Sequence, residues 1–274
     1  MLTLTGVIVF HPVHSSADAQ DKKKTATSIG SDQKDAFGDP LPEGAIARLG
    51  TVRFRHGFNI HAIAFSPGGK VLASAGRFPG LCVFEADTGR LLHRLTDAPI
   101  GDGIAFSPDG KTLFTGHGLI DVATGKETRQ FNWRDVNVGA SAAFSPDGST
   151  VASGGYNVGP QTPIVLWDAE TGKELHRLKG HEGEVGAVAF SPTDSKILAS
   201  GSYDKTVRVW NAVTGKQLHR LEGHDQPVLG VAFAPDGKTI ASFAEGGSIR
   251  LWDATIGKLL HQMKSDHVRF GSLT

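Results

Sequence analysis

Gly180-His181 opens the stretch that decides the fold: Val185-Gly186-Ala187-Val188-Ala189-Phe190-Ser191-Pro192, then Ile197 to Ser200, then Val207-Arg208-Val209-Trp210-Asn211. Apolar residues recur at every second position, the period of a half-buried β-strand, and Gly, Pro, Ser and Asp separate the runs. Outward from this stretch, Phe-Ser-Pro or a near-copy recurs at Phe65, Phe106, Phe144, Phe190 and Phe233, at intervals of 41, 38, 46 and 43 residues. A period of this length marks a stacked array of one supersecondary unit.

Each unit has the same internal order. An alternating strand ends at the Phe, and a turn follows, Ser-Pro-Asp-Gly at Ser107 and Ser145 and Ala-Pro-Asp-Gly at Ala234. Proline presets φ, aspartate tolerates the bridge region and glycine takes the left-handed position. Asp109, Asp147 and Asp236 are therefore expected as turn formers and not as catalytic acids. A third strand ends in Trp167-Asp168, Trp210-Asn211 or Trp252-Asp253. Thr-Gly at Thr88, Thr124, Thr171 and Thr214, or Ile256-Gly257, makes the next hairpin turn. A fourth strand reads Leu-His-Arg-Leu at Leu92, Leu175 and Leu218, and Leu260-His261-Gln262-Met263 in the last unit. Four antiparallel strands per period make one propeller blade.

Gly180-His181, Phe190-Ser191-Pro192, Ser200, Asp204 and Trp210-Asn211 together resemble a WD40 repeat, and the pattern covers about residues 55–265. The resemblance implies an all-β, WD40-type β-propeller with five recognisable blades, at about 57–95, 96–132, 133–179, 180–222 and 223–265. It also implies that a His, a Ser or Thr, an Asp and a Trp form a buried hydrogen-bonded set in each blade. Only the fourth unit keeps all four, as His181, Ser200, Asp204 and Trp210. The fifth has His224, Ser242 and Trp252, with Gly246 in the Asp place. The first has His56 and Ser74, with Phe78 and Phe84 replacing Asp and Trp. The second has Asp97 and Thr115 and is several residues short before Ile120-Asp121, so a distorted turn is expected there. The third has Asp135, Ser153 and Trp167, with an insertion around Asn157 to Thr162. Trp167, Asp168, Trp252 and Asp253 are expected to anchor their blades.

Lys plus Arg and Asp plus Glu both number 28, so no net field draws nucleic acid or an anionic membrane. Cys82 is the one cysteine, and the 39% hydrophobic share with 35 glycines and 13 prolines suits many short strands. No metal or cofactor is expected, because His93, His176, His219 and His261 fall at one place on successive outer strands and do not converge. Arg94, Arg177 and Arg220 beside them read as solvated edge charges.

Residues 1–19 carry an apolar run and the small-x-small pattern Ala17-Asp18-Ala19, which reads as an export signal, with a disordered N-terminus as the alternative because no Lys or Arg precedes the run. Export to the periplasm or beyond is the expectation this favours. The run is too short to span a bilayer as a helix. Residues 20–39 are polar and read as a flexible linker, leaving the propeller to 40–274. Gly38-Asp39-Pro40-Leu41-Pro42 and Arg48-Leu49-Gly50-Thr51 resemble the segment entering the propeller in large bacterial WD40 proteins.

Ala47 to His56 looks like an outermost strand preceding the first unit, yet the fifth unit already ends its own fourth strand near Met263. Either residues 266–274 add one strand and the ring stays open, or 47–56 displaces or augments the fifth blade. An unclosed ring exposes edges and favours self-association. The expected role is a non-enzymatic protein–protein interaction scaffold, with Arg77, Phe78, Tyr156, Tyr203 and Phe243 as contact residues. The alternatives are an enzyme or enzyme subunit using the channel, for which no Gly-x-Ser-x-Gly, His-Glu-x-x-His or phosphate loop is present, and a structural fragment of a longer multidomain protein.

Overall fold

The computed structural model describes residues 7–9, 53–56, 59–76, 80–96, 101, 103–132, 138–155 and 163–264, with backbone alone at 7–9 and 138–140. Every described regular element is a strand. After β1 (Val7–Val9), five four-stranded antiparallel meanders follow in chain order. Blade 1 is β2 (Ile60–Phe65), β3 (Val71–Gly76), β4 (Leu81–Glu85) and β5 (Leu91–Leu95). Blade 2 is β6 (Ala105–Phe106), β7 (Thr112–Phe114), β8 (Gly118–Asp121) and β9 (Glu127–Gln130). Blade 3 is β10 (Val138–Phe144), β11 (Thr150–Gly155), β12 (Ile164–Asp168) and β13 (Glu174–Leu178). Blade 4 is β14 (Val185–Phe190), β15 (Ile197–Ser202), β16 (Val207–Asn211) and β17 (Lys216–Leu221). Blade 5 is β18 (Val228–Phe233), β19 (Thr239–Ala244), β20 (Ser248–Asp253) and β21 (Leu259–Lys264).

Alternation along each strand gives every blade two apolar faces, one for each neighbour. The trailing face of blade 4, with Val185, Val188, Phe190, Leu198 and Trp210, packs on Ala152, Ile164, Leu166 and Leu178 of blade 3. Its leading face, with Ala199, Val207, Val209 and Leu221, packs on Val228, Ile240 and Trp252 of blade 5. Ile104, Phe106, Leu113 and Ile120 of blade 2 meet blade 1 at Leu81 and Val83. Phe114, Leu119 and Phe131 meet Val151, Val165 and Trp167 of blade 3. Five blades thus share four cores, and among the described residues no such cluster joins blade 5 to blade 1.

Blade 2 is the shortest. β6 has two residues, and β7 turns into β8 over Gly116-His117, with the Thr115 amide bonded to the Gly118 carbonyl at 3.0 Å. The residues missing from its sequence are those of the longer turns in blades 4 and 5, and Gly116 at φ 88° makes the shortcut possible. The Ser-Pro-Asp-Gly aspartates form turns: the Asp109 carboxylate accepts from the Ser107 hydroxyl at 2.6 Å and the Lys111 amide at 3.0 Å.

Blade 5 has its own fourth strand, β21, paired with β20 from Trp252↔Leu259 to Ser248↔Lys264. Arg53–His56 of the expected closing strand lies elsewhere, against the hairpin turn of blade 1. The Phe54 amide bonds the Gly89 carbonyl at 3.0 Å, Arg53 Nη1 donates to the Thr88 carbonyl at 2.6 Å, and the Phe54 ring lies 5.7 Å from that of Phe84. Residues 47–52 and 266–274 lie outside the described residues. β1 pairs antiparallel with β2, Val7↔Ala64 to Val9↔Ala62, giving the first sheet a fifth strand that sequence patterning did not anticipate.

Leu221 is 2% exposed at the junction of blades 4 and 5, whereas Met263, its counterpart on β21, is 49% exposed. Leu221→Ala is expected to lower unfolding free energy by about 2–5 kcal/mol. Met263→Ala, in dilute protein, is expected to change it by less than about 0.5 kcal/mol. Urea titrations of the two variants check the contrast.

Candidate functional site

The polar side chains of the repeat converge inside blade 4. β14 is preceded by His181, β15 carries Ser200, the turn after β15 carries Asp204, and β16 carries Trp210. Trp210 Nε1 donates to Ser200 Oγ at 2.8 Å, and Ser200 Oγ lies 2.8 Å from His181 Nε2. His181 Nδ1 lies 2.8 Å from Asp204 Oδ2, which also accepts from the Glu182 amide at 3.1 Å. With the indole as donor, the hydroxyl must donate onward to Nε2, so His181 carries its proton on Nδ1 and gives it to the carboxylate. Burial pushes the His181 pKa down against the pull of Asp204, and the imidazole stays neutral. Burial alone would raise the Asp204 carboxyl. The hydrogen bonds from His181, Thr206 and the Glu182 amide outweigh it and hold the group well below the usual carboxylate range. A closed chain of this kind stiffens a blade, since each member is costly to bury unpaired.

The other blades hold shorter versions. In blade 5, His224 Nε2 lies 2.7 Å from Ser242 Oγ, and Trp252 Nε1 donates to the same oxygen at 2.8 Å. With Gly246 in the Asp place, the buried His224 Nδ1 has no hydrogen-bond partner. Burial, with the nearby Arg250 charge, pushes the His224 pKa down to about 4. In blade 1, His56 Nδ1 lies 2.7 Å from Ser74 Oγ and the buried Phe84 fills the Trp place. In blade 3, Trp167 Nε1 donates to Ser153 Oγ at 3.0 Å. Asp97, Asp135 and Phe78 lie outside the described residues.

The residue after each Trp has a separate task. Asp168 Oδ1 accepts from the Thr171 amide at 2.7 Å and hydroxyl at 2.6 Å, and Asp253 Oδ1 from the amides of Thr255 and Ile256 at 2.8 and 3.0 Å. Asn211 Oδ1 does the same for the Val213 and Thr214 amides. A short acceptor at this place caps the turn between the third and fourth strands, and the Asn211 amide oxygen accepts from the same backbone there.

The rim histidines prove to join blades. His93 Nε2 bonds the Ala123 carbonyl of blade 2 at 3.1 Å, His176 the Val213 carbonyl of blade 4 at 2.8 Å, and His219 the Thr255 carbonyl of blade 5 at 2.8 Å. Each ring lies against the turn glycine of the next blade: a Cβ on Gly125 or Gly257 would come within 2.8 or 3.1 Å of it. Glycine is needed there twice over, for positive φ and for this approach. Gly180, before His181, takes φ 152°, a conformation that favours glycine, with Arg208 Nη1 2.3 Å from its Cβ position.

Of the expected contact residues, Arg77, Phe78 and Tyr156 lie outside the described residues. Tyr203 is half-buried in the turn between β15 and β16, its amide bonded to the Glu184 carbonyl at 2.8 Å. Burial, together with the Glu184 and Glu245 carboxylates, pushes its phenol pKa up. Phe243, expected as an exposed contact, is 3% exposed within β19, because its place on the strand points it into the blade's flank and away from the loop face. Among the described residues no group of three or more His, Cys, Asp or Glu side chains has metal-ligand geometry, and no helix is long and apolar enough to cross a membrane.

Asp204→Ala strands His181 Nδ1–H in the interior, and a loss of about 2–4 kcal/mol in denaturant titrations is expected. His224 sets a pH dependence. Its folded pKa lies near 4 and its unfolded value near 6.5, so its stabilising effect is complete above pH 6.5 and is lost as the pH falls towards 4. His224→Gln is expected to make the decline of melting temperature over that window shallower than in wild type; an unchanged slope refutes the assignment.

Residues 172–211 and 215–253 match the family model described as WD domain, G-beta repeat. Each match begins in the turn before a fourth strand or at that strand, and ends in the third strand of the next blade, so one sequence repeat spans the junction between two sheets. No curated protein matches the chain. Residues 172–211 and 215–253 are thus WD40 repeats, and the five antiparallel four-stranded blades and the His-Ser-Asp-Trp chain of blade 4 are similar to those of WD40-repeat proteins.

Proposed function

We propose that the chain is a non-enzymatic protein–protein interaction scaffold, the role WD40 repeats serve in general. The observation that carries this reading is the employment of the recurring polar residues. The blade histidines and serines, the turn aspartates and the rim histidines are engaged in holding strands and blades in place. What they hold out to solvent is a set of loops on a stiff frame, the usual location of binding residues.

On blades 4 and 5 the loops before the first strand and between the second and third strands lie on one face. They carry Tyr203 with the Glu184 and Glu245 carboxylates beside it. A half-buried aromatic in an acidic surround suits a partner segment rich in Lys or Arg with an apolar side chain beside it.

The test is binding of fluorescent peptides of matched length, one rich in Lys and Arg and one rich in Glu. The basic peptide is expected to bind with a salt-sensitive affinity that falls at least tenfold in Glu184→Lys/Glu245→Lys. Equal binding of both peptides, or an unchanged affinity in the variant, overturns the assignment of this face.

A further inference from the structure

Blades 4 and 5 share one polar arrangement, but blade 5 keeps the donors and lacks the acceptors. In blade 4 Asp204 Oδ2 lies 2.8 Å from His181 Nδ1 and 3.1 Å from the Glu182 amide, with Arg208 Nη2 at 3.8 Å. Arg208 Nη1 also donates to Gln217 Oε1 at 2.6 Å. In blade 5 His224 and Arg250 repeat His181 and Arg208. The Arg250 guanidinium lies over Gly223, with Nη1 2.2 Å from its Cβ position, as Arg208 lies over Gly180. Both acceptors are replaced. Gly246 stands in the place of Asp204, and Leu259, which pairs with Trp252 as Gln217 pairs with Trp210, stands in that of Gln217.

The donors left over are defined. Trp252 Nε1 donates to Ser242 Oγ, so the hydroxyl donates onward to His224 Nε2 and the ring proton sits on Nδ1. His224 is 6% exposed and its Nδ1 is buried without a hydrogen-bond partner, as is Arg250 Nε. The Arg250 charge is close enough to His224 to help push its pKa down. The Asp225 amide follows His224 as the Glu182 amide follows His181. The seat is reached from the loop face: Gly246 is exposed, and among the described residues a Cβ on it would meet Gln226 Cγ alone, at 4.0 Å. Arg250 is part-exposed, whereas Arg208 is buried.

We propose that blade 5 binds a carboxylate from outside the chain, seated where Asp204 sits in blade 4 and held by His224 Nδ1–H, the Asp225 amide and the Arg250 guanidinium. Blade 4 identifies the ligand group, because the same set of donors holds a carboxylate there. One carboxylate oxygen accepts from the ring and the amide, and its charge meets the guanidinium. Asp225 and Glu245, flanking the seat in sequence, oppose further negative charge and favour a singly charged carboxylate over phosphate. An Asp or Glu side chain, a chain terminus and a small free acid all carry this group. The proposal is independent of the basic segment assigned to Tyr203, Glu184 and Glu245.

The test compares sodium formate with sodium chloride at equal ionic strength on the full chain. Melting is followed by circular dichroism, and the imidazole 1H–15N spectrum is recorded, with the His224 signal assigned from its loss in His224→Gln. In about 0.5 M formate the melting temperature is expected to stand about 2–5 °C above that in chloride, and the His224 Nδ1–H signal to shift saturably. Folded His224→Gln and Arg250→Met are each expected to lose most of that rise. A rise of equal size in wild type and both variants overturns the proposal, as does a His224 signal that formate leaves unmoved. Three otherwise neutral peptides identify the source: one with a single Asp and capped ends, one with Asn in its place, and one with Asn and a free C-terminal carboxylate. Preference for the Asp peptide marks a partner side chain, preference for the free end marks a chain terminus, and binding of formate alone marks a small acid. Equal binding of all three peptides at this seat, the capped Asn peptide included, overturns the carboxylate assignment.

Discussion

The interaction on which this structure depends is the docking of one blade's leading face on the next blade's trailing face. A single four-stranded meander has an apolar surface on both sides and cannot bury either alone. Stacking solves this for both faces at once, and a residue such as Leu178 or Leu221 becomes buried only because the next blade brings Trp210 or Trp252 over it. The polar parts of the repeat serve the same junction. His176 and His219 tie the outer edge of one blade to the hairpin of the next, where a glycine leaves room for the ring.

Within a blade, the hydrogen-bonded chain from Trp210 to Asp204 acts at right angles to that docking. It links two strands, β15 and β16, to the loops at one end, so the loop face inherits the rigidity of the sheet. Where the chain is cut short, the cost is visible as a buried nitrogen without a partner, at His224 in blade 5 and at His56 in blade 1. These are the two blades that, among the described residues, share an apolar core with one other blade each.

Much of this was legible in the sequence because a forty-residue period repeats both hydrophobic alternation and turn chemistry. Strand order and the turn-forming role of Asp109 and Asp147 follow from local pattern and spacing, and the short turn of blade 2 and the set His181, Ser200, Asp204 and Trp210 were implied by the resemblance to WD40 repeats. Other features were not legible, and each involves contact between distant segments. The rim histidines could be placed on outer strands, but their acceptors are carbonyls some 30 to 37 residues away. Phe243 was expected at the surface as an aromatic contact residue, whereas its position in β19 buries it.

The sequence by itself determined the blade: alternation fixes which side chains share a face, and the turn residues fix where the chain reverses, both being properties of a few consecutive residues. Only the tertiary structure decided which faces are covered. Phe131 and Met263 carry the same local signal at the end of a fourth strand, yet one lies against Trp167 and the other lies open to solvent. The difference arises from what the next segment of chain brings against them, and burial of an apolar side chain is set by its partner in space and not by its neighbours in sequence.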